Sequence, residues 1–233
     1  ELIAHRIHRQ SDRQDKPFVT INCGALQESL LESELFGHVK GAFTGAVKDK
    51  KGVFEEVGRG TIFLDEVHTL SLRAQQKLLR VLQERMVRPV GSTREYKVHF
   101  RLVAAAKPNL EELVEKGEFL ADLFFRLNVL KIEVPSLRER PEDVPLLASY
   151  FAGVHAADPN KPKQFLSKTM TYLQGYSWPG NVRELENTIE QLCATIAGDL
   201  IQPDDLDAKF FQSSVIRQVN SVNLFRRQVD SMT

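Results

Sequence analysis

Two adjacent carboxylates, Asp65 and Glu66, close the apolar run Gly60-Thr61-Ile62-Phe63-Leu64. At the carboxyl end of a buried strand such a pair suits ATP hydrolysis: Asp65 can hold Mg2+ against phosphate oxygens while Glu66 orients or deprotonates the attacking water. Alone it is a weak signal, because Asp-Glu after a strand more often caps the helix that follows. A second candidate lies upstream in Gly41-Ala42-Phe43-Thr44-Gly45-Ala46, where glycines and small residues bracket one aromatic. The chain can turn sharply there and present Phe43 at a tip, either folded back into its own core or exposed as a contact for a partner. Cys23 and Cys193 stand far apart with no Cys or His at metal spacing and read as ordinary reduced thiols. None of His5, His8, His38 and His68 shows the spacing of metal ligands.

The elements that position these groups follow from periodicity. Glu1 to His8 has helical spacing with no Met, capping residue or preceding strand, so the chain is expected to begin inside a helix. Pro17 to Cys23 reads as a strand, and Leu26, Leu30, Leu31, Leu35 and Phe36 mark an amphipathic helix. Gly60 to Glu66 is a continuous apolar strand, followed by a helix over Gln75 to Arg85 with Leu78, Leu79 and Leu82 inward. Phe100 to Ala106 and Val129 to Val134 repeat the strand pattern, which makes a doubly wound α/β core the economical topology. From Pro135 onward, leucine-spaced segments around Leu146, Leu166, Leu185 and Leu192 predict a smaller all-helical domain, with Trp178-Pro179-Gly180-Asn181 as the turn before Val182 to Ala197. The expected domains are 1–136, 137–212 and a poorly ordered tail over 213–233.

Composition narrows the class. With 233 residues, 42% apolar and 27% charged, the chain can bury a sizeable core. Lys plus Arg equals Asp plus Glu at 31 each, so charge gives no reason for it to condense on nucleic acid or an anionic membrane. No apolar run approaches a bilayer span and no basic-then-apolar leader opens the sequence, so a cytoplasmic protein is expected.

The hexapeptide Gly41 to Ala46 is identical to the signature loop of the bacterial enhancer-binding proteins, the AAA+ ATPases that activate sigma-54-dependent transcription. Leu31 to His38, Gly60 to Glu66, Lys77 to Glu84, Leu137 to Arg140 and Trp178 to Leu185 resemble the family's other hallmarks, in the family's order, over roughly residues 1 to 210. The resemblance implies an AAA+ P-loop NTPase-type parallel sheet followed by a helical lid, with ATP and Mg2+ as cofactors. It makes Asp65 and Glu66 the Walker B pair, with Asp65 on Mg2+. Asn22 matches the residue that hydrogen-bonds that Glu and relays nucleotide state, Arg183 a sensor of the γ-phosphate, and Arg126 an arginine finger reaching a neighbour's nucleotide. Gly41, Ala42, Phe43, Thr44, Gly45 and Ala46 would contact the sigma-54 factor of RNA polymerase, and the chain would form a ring homo-oligomer, a hexamer.

Four departures from the family stand out. No Gly-rich loop ending in Lys occurs, the family placing that Lys immediately before a segment like Glu1-Leu2-Ile3-Ala4, so the first strand is expected to be absent as well. Leu120 follows Phe119 where the family carries another arginine, Ala106-Lys107 stands for Thr-Asn, and Arg59-Gly60 for Gly-Gly. No helix-turn-helix for enhancer DNA is recognisable. Two functions compete: an ATP-driven activator that remodels the closed promoter complex, and a degenerate or fragmentary module that binds partners without hydrolysing ATP. Another kind of AAA+ machine would share the carboxylates and the arginine but has no reason to contain Gly41 to Ala46.

Overall fold

The computed structural model describes residues 1–211, and the expected tail lies outside them. The chain divides into two compact units, the first Glu1–Lys131 and the second beginning at Ile132.

The first unit contains, in order, α1 (Leu2–Arg9), β1 (Phe18–Asn22), α2 (Glu28–Phe36), β2 (Gly37–His38), β3 (Lys50–Lys51), α3 (Val53–Glu56), β4 (Thr61–Asp65), α4 (Leu72–Glu84), β5 (Met86–Val87), β6 (Tyr96–Lys97), β7 (Arg101–Ala104), α5 (Leu110–Glu115) and α6 (Ala121–Leu127). Its sheet is parallel in the order β1-β4-β7, with Asn22 opposite Asp65 and Leu64 opposite Ala104. The central strand is buried over Thr61 to Leu64, as a parallel strand covered on both faces must be. Buried His8 on α1 meets Thr61 through Nδ1 and Oγ1 at 3.0 Å, so this histidine is a satisfied core residue.

Helix α4 shows how sequence sets an element. Ser71 caps it by accepting the Ala74 N–H, and Arg85 ends it in a left-handed conformation with φ 56°. Ala74, Gln75, Leu78, Val81 and Leu82 recur at three- and four-residue spacing and face the core. Gln75 is wholly buried yet satisfied: its amide nitrogen donates to the carbonyls of Leu70 and Glu118, and its oxygen accepts the Leu120 N–H.

Three expectations need correction. Val129 to Val134 is not a strand: it joins no sheet among the described residues, and Val129, Leu130, Ile132 and Val134 are all more than half exposed. A β-rich run becomes a strand only beside a neighbour, and among the described residues β7 has only β4 beside it. In α2, Leu31, Leu35 and Phe36 are buried, but Leu30 faces outward and Leu26 precedes the helix.

The second unit contains α7 (Val144–Val154), β8 (Gln164–Phe165), α8 (Ser167–Gly175), α9 (Asn181–Thr195) and β9 (Leu200–Ile201). It is not all-helical, the third correction, since β8 and β9 form a short parallel pair. Two residues are too few to show a period of two. Its core gathers Leu137, Leu173, Trp178, Leu185, Ile189 and Phe210. Among the described residues no helix is long and apolar enough to cross a membrane.

Candidate functional site

The carboxyl end of β4 carries the first candidate. Asp65 closes the strand and accepts the Glu66 backbone N–H on Oδ1 at 2.9 Å. Glu66 sits at φ 53° and ψ 41°, a left-handed conformation that a side chain with a Cβ adopts at a cost of about 1 kcal/mol. The bend is held from behind, because the Glu66 carbonyl accepts both the N–H and the hydroxyl of Thr69, and Val67 N–H donates to Ala105 O. Both carboxylates remain half-buried, and among the described residues Asp65 Oδ2 accepts no hydrogen bond, which leaves it an oxygen of the kind that ligates Mg2+.

Asn22 lies beside Asp65 in the sheet, but its Oδ1 accepts the Gly24 N–H at 2.8 Å and it makes no hydrogen bond to Glu66. Gly24 leaves space for the Glu66 carboxylate: a Cβ there would lie 2.5 Å from Glu66 Oε2, the movable end of that side chain, and in ordinary contact with Asn22 Oδ1 at 3.5 Å. This glycine was missed from the sequence, where its only signal is its place directly after a strand. Buried Cys23 lies behind the same edge, and burial, followed by the charges of Asp65 and Glu66, pushes its thiol up to about 12. It stays protonated and unreactive at neutral pH.

The second candidate is a hairpin. Strands β2 and β3 pair with His38 opposite Lys50, and the connecting segment is closed by Gly41 N–H to Ala46 O, Ala46 N–H to Phe43 O and Lys40 N–H to Asp49 Oδ1. The loop between β5 and β6 steadies its base, with Val39 N–H donating to Val90 O and Val90 N–H to Gly37 O. At the tip, Gly41 and Gly45 take φ of 81° and 101° with open space around them. Thr44 is exposed, whereas Phe43 is half-buried, its ring edge-on to buried His38 at 5.0 Å and outside the core cluster. Helix α2, nine residues or about 13 Å long, separates the hairpin from the end of β1.

The two arginines stand on other elements, Arg126 on α6 of the first unit and Arg183 on α9 of the second. Arg126 lies in the last turn of α6, is exposed, and donates from Nη2 to Leu82 O at 3.1 Å. Leu82 lies ten residues into α4, about 15 Å along a helix that starts at Leu72, six residues after Glu66. Leu120 packs against the core rather than offering a charge. Arg183, in the second unit, is exposed on the first turn of α9. The motif around it is a rigid mount: Trp178 Nε1 donates to Leu173 O, Asn181 Oδ1 accepts the Leu137 N–H, and Glu184 Oε2 accepts the Gly180 N–H. Among the described residues no group of three His, Cys, Asp or Glu could hold a metal by itself.

Residues 1–133 match the sigma-54 interaction domain family and residues 138–222 the AAA+ ATPase lid domain. The chain is 51% identical over 207 residues to the transcriptional regulatory protein ZraR of Escherichia coli K12, covering 88% of this chain and 47% of that one. Against the Nif-specific regulatory protein of Herbaspirillum seropedicae the figures are 50% over 202 residues, 86% and 37%. The chain thus spans less than half the length of these relatives. The crystal structure of NtrX from Brucella abortus in complex with ADP superposes with a TM-score of 0.81 at 36% identity, covering 91% of this chain and 47% of that one. A mutant of Thermotoga maritima RuvB, at TM-score 0.54, 14% identity and coverages of 92% and 57%, shares the fold alone.

Proposed function

Because the chain belongs to the sigma-54 interaction domain family of AAA+ ATPases and ends in the matching lid, we propose that it activates sigma-54 RNA polymerase by ATP-driven remodelling of the closed promoter complex. The observation that carries this reading is the intact hexapeptide Gly41 to Ala46 at a hairpin tip, one helix away from the Asp65–Glu66 edge. Thr44, and Phe43 once it leaves His38, meet the sigma factor. ATP with Mg2+ supplies the phosphoryl group and the divalent charge. Asp65 offers the metal an oxygen, and Glu66 orients the attacking water and takes its proton. Asn22 turns toward Glu66 when nucleotide is present. Arg183 reads the γ-phosphate from the lid, and Arg126, held far along α4 from its own carboxylates, serves a neighbouring copy in a ring. The remodeller works where RNA polymerase is, in the cytoplasm.

A second reading, a partner-binding module that does not turn over ATP, is favoured by Leu120 packing against the core and by Lys107 three residues past the end of β7. Measuring ATP turnover and sigma-54 binding on the same preparation, of a form extended upstream by the Gly-rich loop ending in Lys that holds phosphates in the family, tests both. Activation requires turnover that Glu66→Gln abolishes with binding retained, and binding that Phe43→Ala abolishes with turnover retained. Binding without turnover supports the second reading, and the absence of sigma-54 binding overturns both.

A further inference from the structure

Helix α2 grips different parts of the first unit with its different residues. Toward α4, Glu28 Oε1 accepts the hydroxyl of Ser71, the α4 cap, at 2.5 Å, and Glu32 Oε2 meets Lys77 Nζ at 2.7 Å. Toward the hairpin, Ser33 Oγ meets His38 Nδ1 at 2.7 Å and Glu34 Oε1 meets Lys50 Nζ at 2.6 Å. The nine-residue helix is therefore fastened at once to the element that follows Asp65–Glu66 and to both legs of the hairpin.

Glu32 is the unusual member of this set. It is 6% exposed, and a carboxylate so buried is costly unless paired. Lys77 pairs it, with the ammonium also 5.7 Å from the ring centroid of Phe36, the last residue of α2. The pairing is half complete: Glu32 Oε1 has no hydrogen bond, and Arg73 Nε stands 3.6 Å away, within ion-pair range but beyond a bond. A well-packed apolar pair in this position would often be as stable or more so, so stability alone does not account for a buried charge.

We propose that Glu32 is a positioning residue, which through its ion pair with Lys77 fixes the hairpin's place relative to the Asp65–Glu66 edge. The open acceptor at Oε1 gives the tie a second position: a slide of α2 along α4 by less than about 1 Å brings Arg73 into hydrogen-bond distance. For its purpose the inference rests on the reading of the hairpin as a partner contact, but its structural content is independent of that reading.

The test is amide hydrogen exchange on the whole chain, comparing the hairpin amides of Val39, Gly41 and Ala46 with the sheet amides of Ile62 to Leu64. In Glu32→Gln and Lys77→Met the hairpin amides should exchange about tenfold faster with the sheet amides unchanged, while Lys77→Arg, which keeps the charge, should stay near wild type. Unchanged hairpin exchange overturns the proposal. So does uniform acceleration of hairpin and sheet, which would make Glu32 a general stabiliser, and so does a Lys77→Arg variant that behaves like Lys77→Met. Sigma-54 binding, measured in parallel, should weaken in Glu32→Gln. Failure of the wild-type chain to bind sinks the functional reading instead and leaves the exchange comparison to decide on the tie.

Discussion

The carboxylate edge of β4 and the hairpin tip both depend on glycine, for opposite reasons. At the hairpin's base glycine is there because there is no room, since a Cβ on Gly52 would meet backbone atoms of Gly37 and Phe36 at 2.3 Å, and at the edge a Cβ on Gly24 would lie 2.5 Å from Oε2 and push the end of the Glu66 side chain aside. At the tip, Gly41 and Gly45 have nothing within 4 Å and are needed only for their backbone angles. One region is packed to hold its atoms in place, and the other is left open on a firm base.

The largest test of this contrast is catalytic. If the rigid edge works between copies, then in a complete protein that carries the phosphate-binding loop Arg126→Ala should cut ATP turnover by about three orders of magnitude and leave nucleotide affinity nearly intact, because a transition-state cation shows in rate more than in binding. Mixing that variant with Glu66→Gln should recover activity, since some junctions then join an intact arginine to an intact carboxylate pair. Mixed rings with no recovered activity would end the trans assignment.

Next in size is packing. Gly52→Ala should destabilise the fold by about 3 kcal/mol in denaturant titration, as the new Cβ displaces backbone on two sides. Gly45→Ala should cost only about 1 kcal/mol, the strain of a positive φ in open space. Equal losses at the two positions would erase the distinction between base and tip.

The smallest effect is the most local. Because Cys23 is held up to about 12 against an ordinary value of 9.0, the unfolded chain releases this proton first as pH rises. The associated stability is complete below about pH 9 and drains as pH climbs toward about 12, amounting to less than about 1 kcal/mol between about pH 8 and about pH 9.5. Thiol titration makes the same comparison by rate: at about pH 8 a disulfide reagent should label Thr44→Cys at the tip quickly and Cys23 hardly at all. Rapid labelling of Cys23 in the folded chain would show that the edge opens far more readily than its packing suggests.

Much of this was legible in the residues. The strand ending in Asp65, helix α4 and the turn before α9 announce themselves by period and caps, because a buried central strand and an amphipathic helix leave patterns that outweigh local noise. The hexapeptide was legible as a sharp turn, but not the seat of Phe43 on His38, since a ring contact between residues five apart on two sides of a turn has no period. Arg126 could be singled out by resemblance, whereas its anchor on Leu82 O joins residues 44 apart and only tertiary structure reveals it. Val129 to Val134 misled for a physical reason: β propensity reports a side chain's fitness for a sheet and says nothing of whether a strand stands alongside.

That run outside the sheet also bears on how the polypeptide behaves in a tube. Val129, Leu130, Ile132 and Val134 are exposed by 75%, 89%, 62% and 59%, apolar surface to which other molecules can stick. Light scattering of the concentrated chain should rise over hours and be suppressed by Leu130→Lys, a gatekeeper charge that spares the carboxylate edge and the hairpin. Colloidal behaviour, rather than folding stability, then sets the concentration at which the other measurements can be made.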